Sequence, residues 1–190
     1  MRKIILLLLV LPFFASALFA ENEELNLKDH VNSAYNISMK YPDGWYVVEN
    51  NADNDVYYLF VTKEKVEGAE RSRTSYILAK VYNAKKNVAA FRSYRPKNVA
   101  KEFFERYTEQ ITDMKSIVIS SPISPMMLGK DECYLAELYF KDRYGDDIGV
   151  FFVVGFKNDT LLNIIFSAPR EKFMDYRDLY LKILKEAVVF

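Results

Sequence analysis

The sequence predicts an α+β fold in which a largely antiparallel β-sheet is flanked by helices, a helix/sheet/helix sandwich. Three observations carry that expectation. Short strand-like runs follow one another with turn residues between them. Two segments, one in mid-chain and one near the C-terminal end, repeat apolar residues at steps of three and four. One strand, with Val150, Phe151, Phe152, Val153, Val154 and Phe156, is apolar at nearly every position. A strand without a polar side needs cover on both faces, and helices with one apolar stripe supply it.

The chain opens with Arg2 and Lys3, an apolar run over residues 4–14, and the small residues Ala15, Ser16, Ala17 and Ala20. This is the pattern of a secretory signal peptide over residues 1–20. A membrane anchor is the rival reading, but a bilayer core needs roughly 20 apolar residues in a helix. The run is shorter, contains Pro12, and ends in residues suited to a signal peptidase. Cleavage after Ala17 or after Ala20 fits, and the polar start from Glu21 to Glu24 favours Ala20. No cysteine follows the run, so acylation at a lipoprotein-type cysteine is excluded. The expected location is extracytoplasmic, in the periplasm or the medium, with no transmembrane anchor after cleavage.

Removal of the signal takes away Arg2 and Lys3, leaving 24 basic and 26 acidic residues and a net charge of −2. Nucleic-acid binding, which calls for a strong basic excess, is disfavoured. What remains suits one domain that buries roughly 70% of its unfolded surface. Cys133 is the only cysteine, so no intramolecular disulfide forms and stability has to come from packing. The chain has 14 Phe and 14 Tyr, rings that bury ~150 to 250 Å² each. An aromatic core is the first reading of them. An aromatic face for sugar or lipid is the second.

Residues 21–34 are polar with little periodicity and read as a lead-in segment, in which His30, the only histidine, is expected to be solvated. The single domain, residues 35–190, opens with an alternating strand over 35–40. Pro42-Asp43-Gly44 then reverses the chain, because proline presets φ, aspartate bonds its own backbone and glycine accepts positive φ. Strands follow over 45–49, 56–62 and 75–83. In the last of these Ile77, Ala79 and Val81 form one face, with Tyr76, Leu78 and Tyr82 on the other. Pro96 and Asn98 mark a helix start, with Asn98 suited to capping. Val99, Phe103, Tyr107, Ile111 and Met114 line one side of that helix, and Glu102, Glu105 and Arg106 face elsewhere. A strand over 116–120 is expected to end at the Ser121 to Pro125 stretch, where two prolines lack ladder donors. Strands over 132–141, 148–157 and 160–167 come next, the last two joined by Asn158-Asp159, residues that suit a tight hairpin. A final helix follows Pro169 with Phe173, Tyr176, Tyr180, Ile183 and Ala187 inward and Asp175, Arg177, Asp178, Lys182 and Lys185 outward.

Tyr41-Pro42-Asp43-Gly44-Trp45 after a short strand, the strand pair around Asn158-Asp159, and the closing stretch with Ser167-Ala168-Pro169, Phe173, Tyr176 and Ile183-Leu184 resemble the PsbP-like family. These are the lumenal accessory proteins of photosystem II and bacterial relatives of unassigned function. The likeness spans residues 35–190 and rests on turn and apolar positions. It implies an extracytoplasmic domain that works by binding or assembly. It implies no cofactor and carries over no functional residue, since Trp45 and Gly44 match positions that serve the fold. The same fold is used by a nuclear Ran-binding import factor, so fold does not dictate function.

No H-E-x-x-H, G-x-S-x-G or Gly-rich phosphate loop occurs, and one histidine with one cysteine cannot build a zinc site or a thiol–imidazole pair. Cys133 shares a strand face with Leu135 and reads as a buried, unreactive thiol. Asp53 with Asp55, and Asp142 with Asp146 and Asp147 beside Gly145, lack the spacing of a calcium loop and read as turns. Two glycosylation-like triplets, at Asn36 and Asn158, read as chance matches. Lys85, Lys86, Arg92, Arg95, Lys97 and Lys101 occur without an intervening acid and with Phe91 and Tyr94 among them. Such a run reads as a solvated loop or as a site for acidic partners or anionic head groups.

The leading expectation is therefore an exported, non-enzymatic binding or assembly protein whose partner is another extracytoplasmic protein or an anionic envelope surface. Two alternatives stand beside it. An envelope hydrolase would draw on carboxylates such as Glu132 and Glu137, although five residues apart on one strand they project to opposite faces. A carrier of a small apolar ligand would show a lined cavity.

Overall fold

The computed structural model describes residues 26–53, 56–65, 74–83, 96–110, 117–128, 131–157 and 160–187. Residues 1–20, read as a signal, and the Asn158-Asp159 turn lie outside them. No helix among the described residues is long and apolar enough to cross a membrane. The chain runs through β1 (Leu27–Asn32), β2 (Ile37–Pro42), β3 (Tyr46–Asp53), β4 (Val56–Thr62) and β5 (Tyr76–Asn83) to helix α1 (Pro96–Gln110). It continues through β6 (Val118–Leu128), β7 (Asp131–Lys141), β8 (Asp147–Lys157) and β9 (Thr160–Pro169) to helix α2 (Arg170–Ala187).

Seven strands form one antiparallel sheet in the order β3-β4-β5-β9-β8-β7-β6, and β1 pairs with β2 in a separate hairpin. Side-chain alternation divides the sheet into two cores. On one face Tyr57, Leu59, Val61, Ile77, Ala79, Val81, Phe151 and Phe166 meet α2 through Phe173, Tyr180, Ile183 and Leu184, and meet the hairpin through Ile37 and Met39. On the other, Leu138, Val150, Phe152 and Ile165 lie under Phe104 of α1, with Phe103 and Tyr107 packed around it. The predicted sandwich and the two faces of β5 are thus as the periodicity required. β8, apolar on both sides, lies near the middle of the sheet and under both helices.

The Pro42-Asp43-Gly44 turn closes with the Trp45 amide donating to the Pro42 carbonyl at 3.3 Å, and Gly44 has φ +79°. Only glycine takes that conformation without strain. Trp45 then packs edge-on against Tyr176, ring centres 5.8 Å apart. Gly149 serves closeness instead of turning. A Cβ there would lie 2.5 Å from Cγ of Phe173, so its bare backbone is where α2 seats on the sheet.

Four sequence expectations change. The lead-in contains β1, because its register with β2 (Asp29 opposite Lys40, His30 opposite Met39) supplies backbone partners that outweigh its polar composition. The strand expected over 35–40 is shifted to Ile37–Pro42; Tyr35 sits in the preceding turn, where Asn36 has φ +52°. Helix α1 starts at Pro96, putting proline in the first turn, where its missing donor is harmless, and Asn98 inside the helix. Strand β6 continues through Pro122 and Pro125 to Leu128, since it is an edge strand with register shifts between Ile119 and Ser124. At an edge the missing donors face away from the ladder.

Candidate functional site

Strands β3, β4 and β5 pair in register, and their alternate residues build a surface on the α1 side of the sheet. Three rows cross it: Tyr46, Thr62 and Tyr76; Val48, Phe60 and Leu78; and Asn50, Tyr58 and Lys80. Helix α1 packs farther along, over β8 and β7, with Phe103 on Tyr82 and Tyr107 stacked on Phe152 at 5.0 Å. The β3 end of the face is left open to solvent: Tyr46 is 49% and Val48 56% exposed. Between them and β5 lies a groove of about 640 Å³, floored by Phe60, Leu78 and the rings of Tyr58 and Tyr76. Phe60 and Tyr76 lie 5.4 Å apart, centre to centre.

Among the described residues no carboxylate lines this groove, and Lys65 stands at its rim. Lys80 is half-buried beside it, its Nζ 5.5 Å from the centre of the Tyr58 ring. Burial lowers its pKa, because the charged amine loses water, and it makes no ion pair among the described residues. Beyond Lys80 the same row reaches Asn163 on β9, whose Oδ1 is buried without a hydrogen-bond partner. The surface is therefore aromatic and apolar with a cationic, hydrogen-bonding end. That combination is suited to holding a ligand or partner.

Of the residues singled out by sequence, the described ones fall elsewhere. Lys101 is exposed on α1 and lies 3.6 Å from Glu105. Lys97 falls in the first turn of α1, and Lys85, Lys86, Arg92 and Arg95 lie outside the described residues. Glu132 and Glu137 do face opposite sides. Glu132 accepts from the Tyr134 hydroxyl at 2.7 Å, whereas buried Glu137 accepts from Tyr139 at 2.5 Å and from Arg177 at 3.2 Å. Arg177, expected on the outer face of α2, thus reaches inward to that carboxylate. Burial, followed by the bond to Glu137, pushes the Tyr139 hydroxyl up to about 12.

His30 is not solvated. Its side chain is only 11% exposed, with Nε2 2.7 Å from the Tyr57 hydroxyl, which donates to Glu49 at 3.0 Å. The β1–β2 pairing lays the hairpin on the sheet and turns His30 toward it. Cys133 is buried, and its thiol is pushed up to about 12 chiefly by loss of water. Asp142 closes a turn, its Oδ1 accepting from the amides of Tyr144 and Asp146 while Gly145 takes φ +89°. Among the described residues no group of His, Cys, Asp and Glu could hold a metal ion.

No protein-family model matches the chain, and no curated protein matches it by sequence. Solved structures do. The cyanobacterial PsbP of Synechocystis sp. PCC 6803 superposes with a TM-score of 0.61 at 11% identity, over 87% of this chain and 94% of that one. The fold is the PsbP-like fold. LpqN of Mycobacterium tuberculosis, described as involved in cell envelope biogenesis, shares the PsbP-like fold with a TM-score of 0.54 and 12% identity over 88% and 92% of the two chains. PA94 of Pseudomonas aeruginosa, a protein of unknown function, reaches 0.50 at 10% identity over 85% and 95%.

The groove escaped the sequence reading for a definite reason. In β4 the inward set Tyr57, Leu59 and Val61 alternates with Tyr58 and Phe60, so the strand reads as apolar on both sides. Which side lacks cover in the PsbP-like fold depends on where α1 docks, and α1 is separated from β4 by a whole strand and a loop.

Proposed function

We propose that the chain is an exported, non-enzymatic binding or assembly protein that works through the open aromatic face over β3, β4 and β5. The observation that carries this reading is a large aromatic groove that, among the described residues, is lined by no carboxylate and lies next to a half-buried lysine without an ion pair. Large exposed apolar patches on soluble domains mark interaction sites. The signal-like start supports export to the periplasm or medium, and the fold shared with an envelope-biogenesis protein is in keeping with it. The basic run Lys85, Lys86, Arg92, Arg95, Lys97 and Lys101 links β5, which floors the groove, to α1. Its charges would add contacts to an acidic partner or an anionic envelope surface.

The test is fractionation of cells followed by site-specific photo-crosslinking. Export predicts a mature form beginning at Glu21 outside the cytoplasm. A crosslinker at Val48 should give a defined adduct that one at Lys172, exposed on α2, does not. Charge reversal at Arg92, Arg95 and Lys97 should weaken it. Full-length protein in the cytoplasm, or equal labelling from both positions, counts against the proposal. The hydrolase alternative has no specific observation in its favour, since Glu132 and Glu137 are held apart by the sheet.

A further inference from the structure

We infer that the groove takes a small amphiphile, a long apolar chain ending in a carboxylate, with the chain on the aromatic floor and the head group at Lys80. This rests on the reading of the open face as the binding surface.

β4 and β5 are interior strands, so their backbone N–H and C=O groups are spent in the ladders to β3, to each other and to β9. A peptide laid on Phe60, Leu78 and Tyr76 would lose water from its own backbone and find no main-chain partner in return. An alkyl chain has no such groups to satisfy. The volume, about 640 Å³, lies in the range of small-ligand sites.

The head group follows from the rows. The aromatic and apolar rows through Tyr46 and Val48 give way to the polar row of Asn50, Tyr58 and Lys80. One end of the groove thus carries the hydrogen-bonding groups of Asn50 and Tyr58, with Lys80 just beside it and no ion pair to that lysine among the described residues. Holding an unpaired ammonium half-buried costs stability. An anion arriving there supplies the missing partner and makes a charge-assisted bond. The carboxylate of the amphiphile fits that end, and its tail fits the other.

The experiment is a fluorescence titration of the mature protein with cis-parinarate, a polyene carboxylate, followed by displacement with palmitate, hexadecanol or a polyglutamate peptide. Saturable binding is expected, with palmitate displacing the probe at least about tenfold better than hexadecanol, the worth of one charge-assisted contact. Lys80→Met keeps the apolar stem and should bring palmitate down to the level of hexadecanol. Val48→Asp changes an exposed position, leaves the fold intact by circular dichroism, and should abolish both. Absence of saturable binding, equal displacement by the acid and the alcohol, or displacement by polyglutamate overturns the inference. A Val48 crosslink to an envelope protein without parinarate binding would overturn this occupant alone. Parinarate binding indifferent to Val48→Asp would overturn the binding face itself.

Discussion

Gly149→Ala puts one methyl group where α2 meets the sheet. The new Cβ would stand 2.5, 2.7 and 2.9 Å from Cγ, Cδ1 and Cβ of Phe173, against a normal carbon–carbon contact of about 3.5 to 4.0 Å. Relief therefore needs a movement of about 1 Å. Because Cβ of Phe173 is among the clashing atoms, rotating the ring is not enough and the helix backbone has to move. The ring is also held by Phe151 at 5.0 Å, Tyr139 at 5.7 Å and Tyr180 at 6.1 Å between centres. Overpacking of this kind costs about 1 to 3 kcal/mol, and a clash with a fixed helix belongs at the upper end. For a domain of this size each kcal/mol lowers Tm by about 2 to 4 °C. The expected drop is thus about 6 to 12 °C, read by thermal and urea unfolding followed by far-ultraviolet circular dichroism. Phe173→Ala added to Gly149→Ala should recover part of the loss, because it removes Cγ and Cδ1, the two nearest clashing atoms. The groove lies on the opposite face, so ligand binding there should be unchanged in the folded variant. An unaltered Tm, or a double variant that merely sums the two single losses, refutes the account of how α2 is seated.

Three further outcomes are expected. Tyr57→Phe removes the hydroxyl between His30 and Glu49 and should cost about 1 to 2 kcal/mol, mostly for the poorly solvated imidazole; amide exchange in β1 should quicken selectively, and unchanged exchange there would rule out a latch between hairpin and sheet. Native Cys133, with its thiol pushed up to about 12 and buried, should resist a thiol reagent at about pH 8 until urea unfolds the protein, whereas prompt labelling of the folded state would place it at the surface. Burial raises the hydroxyls of Tyr57, Tyr107 and Tyr180 and takes those of Tyr82 and Tyr139 up to about 12. Their contribution is complete below about pH 10 and is lost as pH rises from there toward about 12, where the unfolded chain binds fewer protons. Lys80, lowered by burial, pulls the other way but is a single group. The urea midpoint should therefore fall between about pH 10 and about pH 12, with tyrosinate absorbance appearing together with unfolding; ionisation of all the tyrosines near pH 10 without unfolding would contradict the burial.

Elements with strong periodicity were legible because their neighbours in sequence share their environment. Ile77, Ala79 and Val81 against Tyr76, Leu78 and Tyr82 declare two apolar faces, and Phe173, Tyr176, Tyr180 and Ile183 declare one helical stripe. β1 was hidden because polar His30 and Asn32 occupy half-buried positions, and the partner of His30, Tyr57, lies far along the chain. The length of β6 was hidden because proline is judged against an average strand, and only the sheet order reveals an edge. Arg177 looked outward by helical spacing, and its long side chain bends back to Glu137, 40 residues away.

The amino-acid order alone determined the layered architecture, the turn at Gly44, the absence of a disulfide and the lack of a recognisable catalytic set, because each depends on local pattern or on residue supply. The tertiary structure decided which apolar face stays open, that Lys80 lies beside it over the Tyr58 ring, and what His30 touches. Those are differences between what a face offers and what happens to dock on it, and docking joins segments whose separation along the chain leaves no local trace.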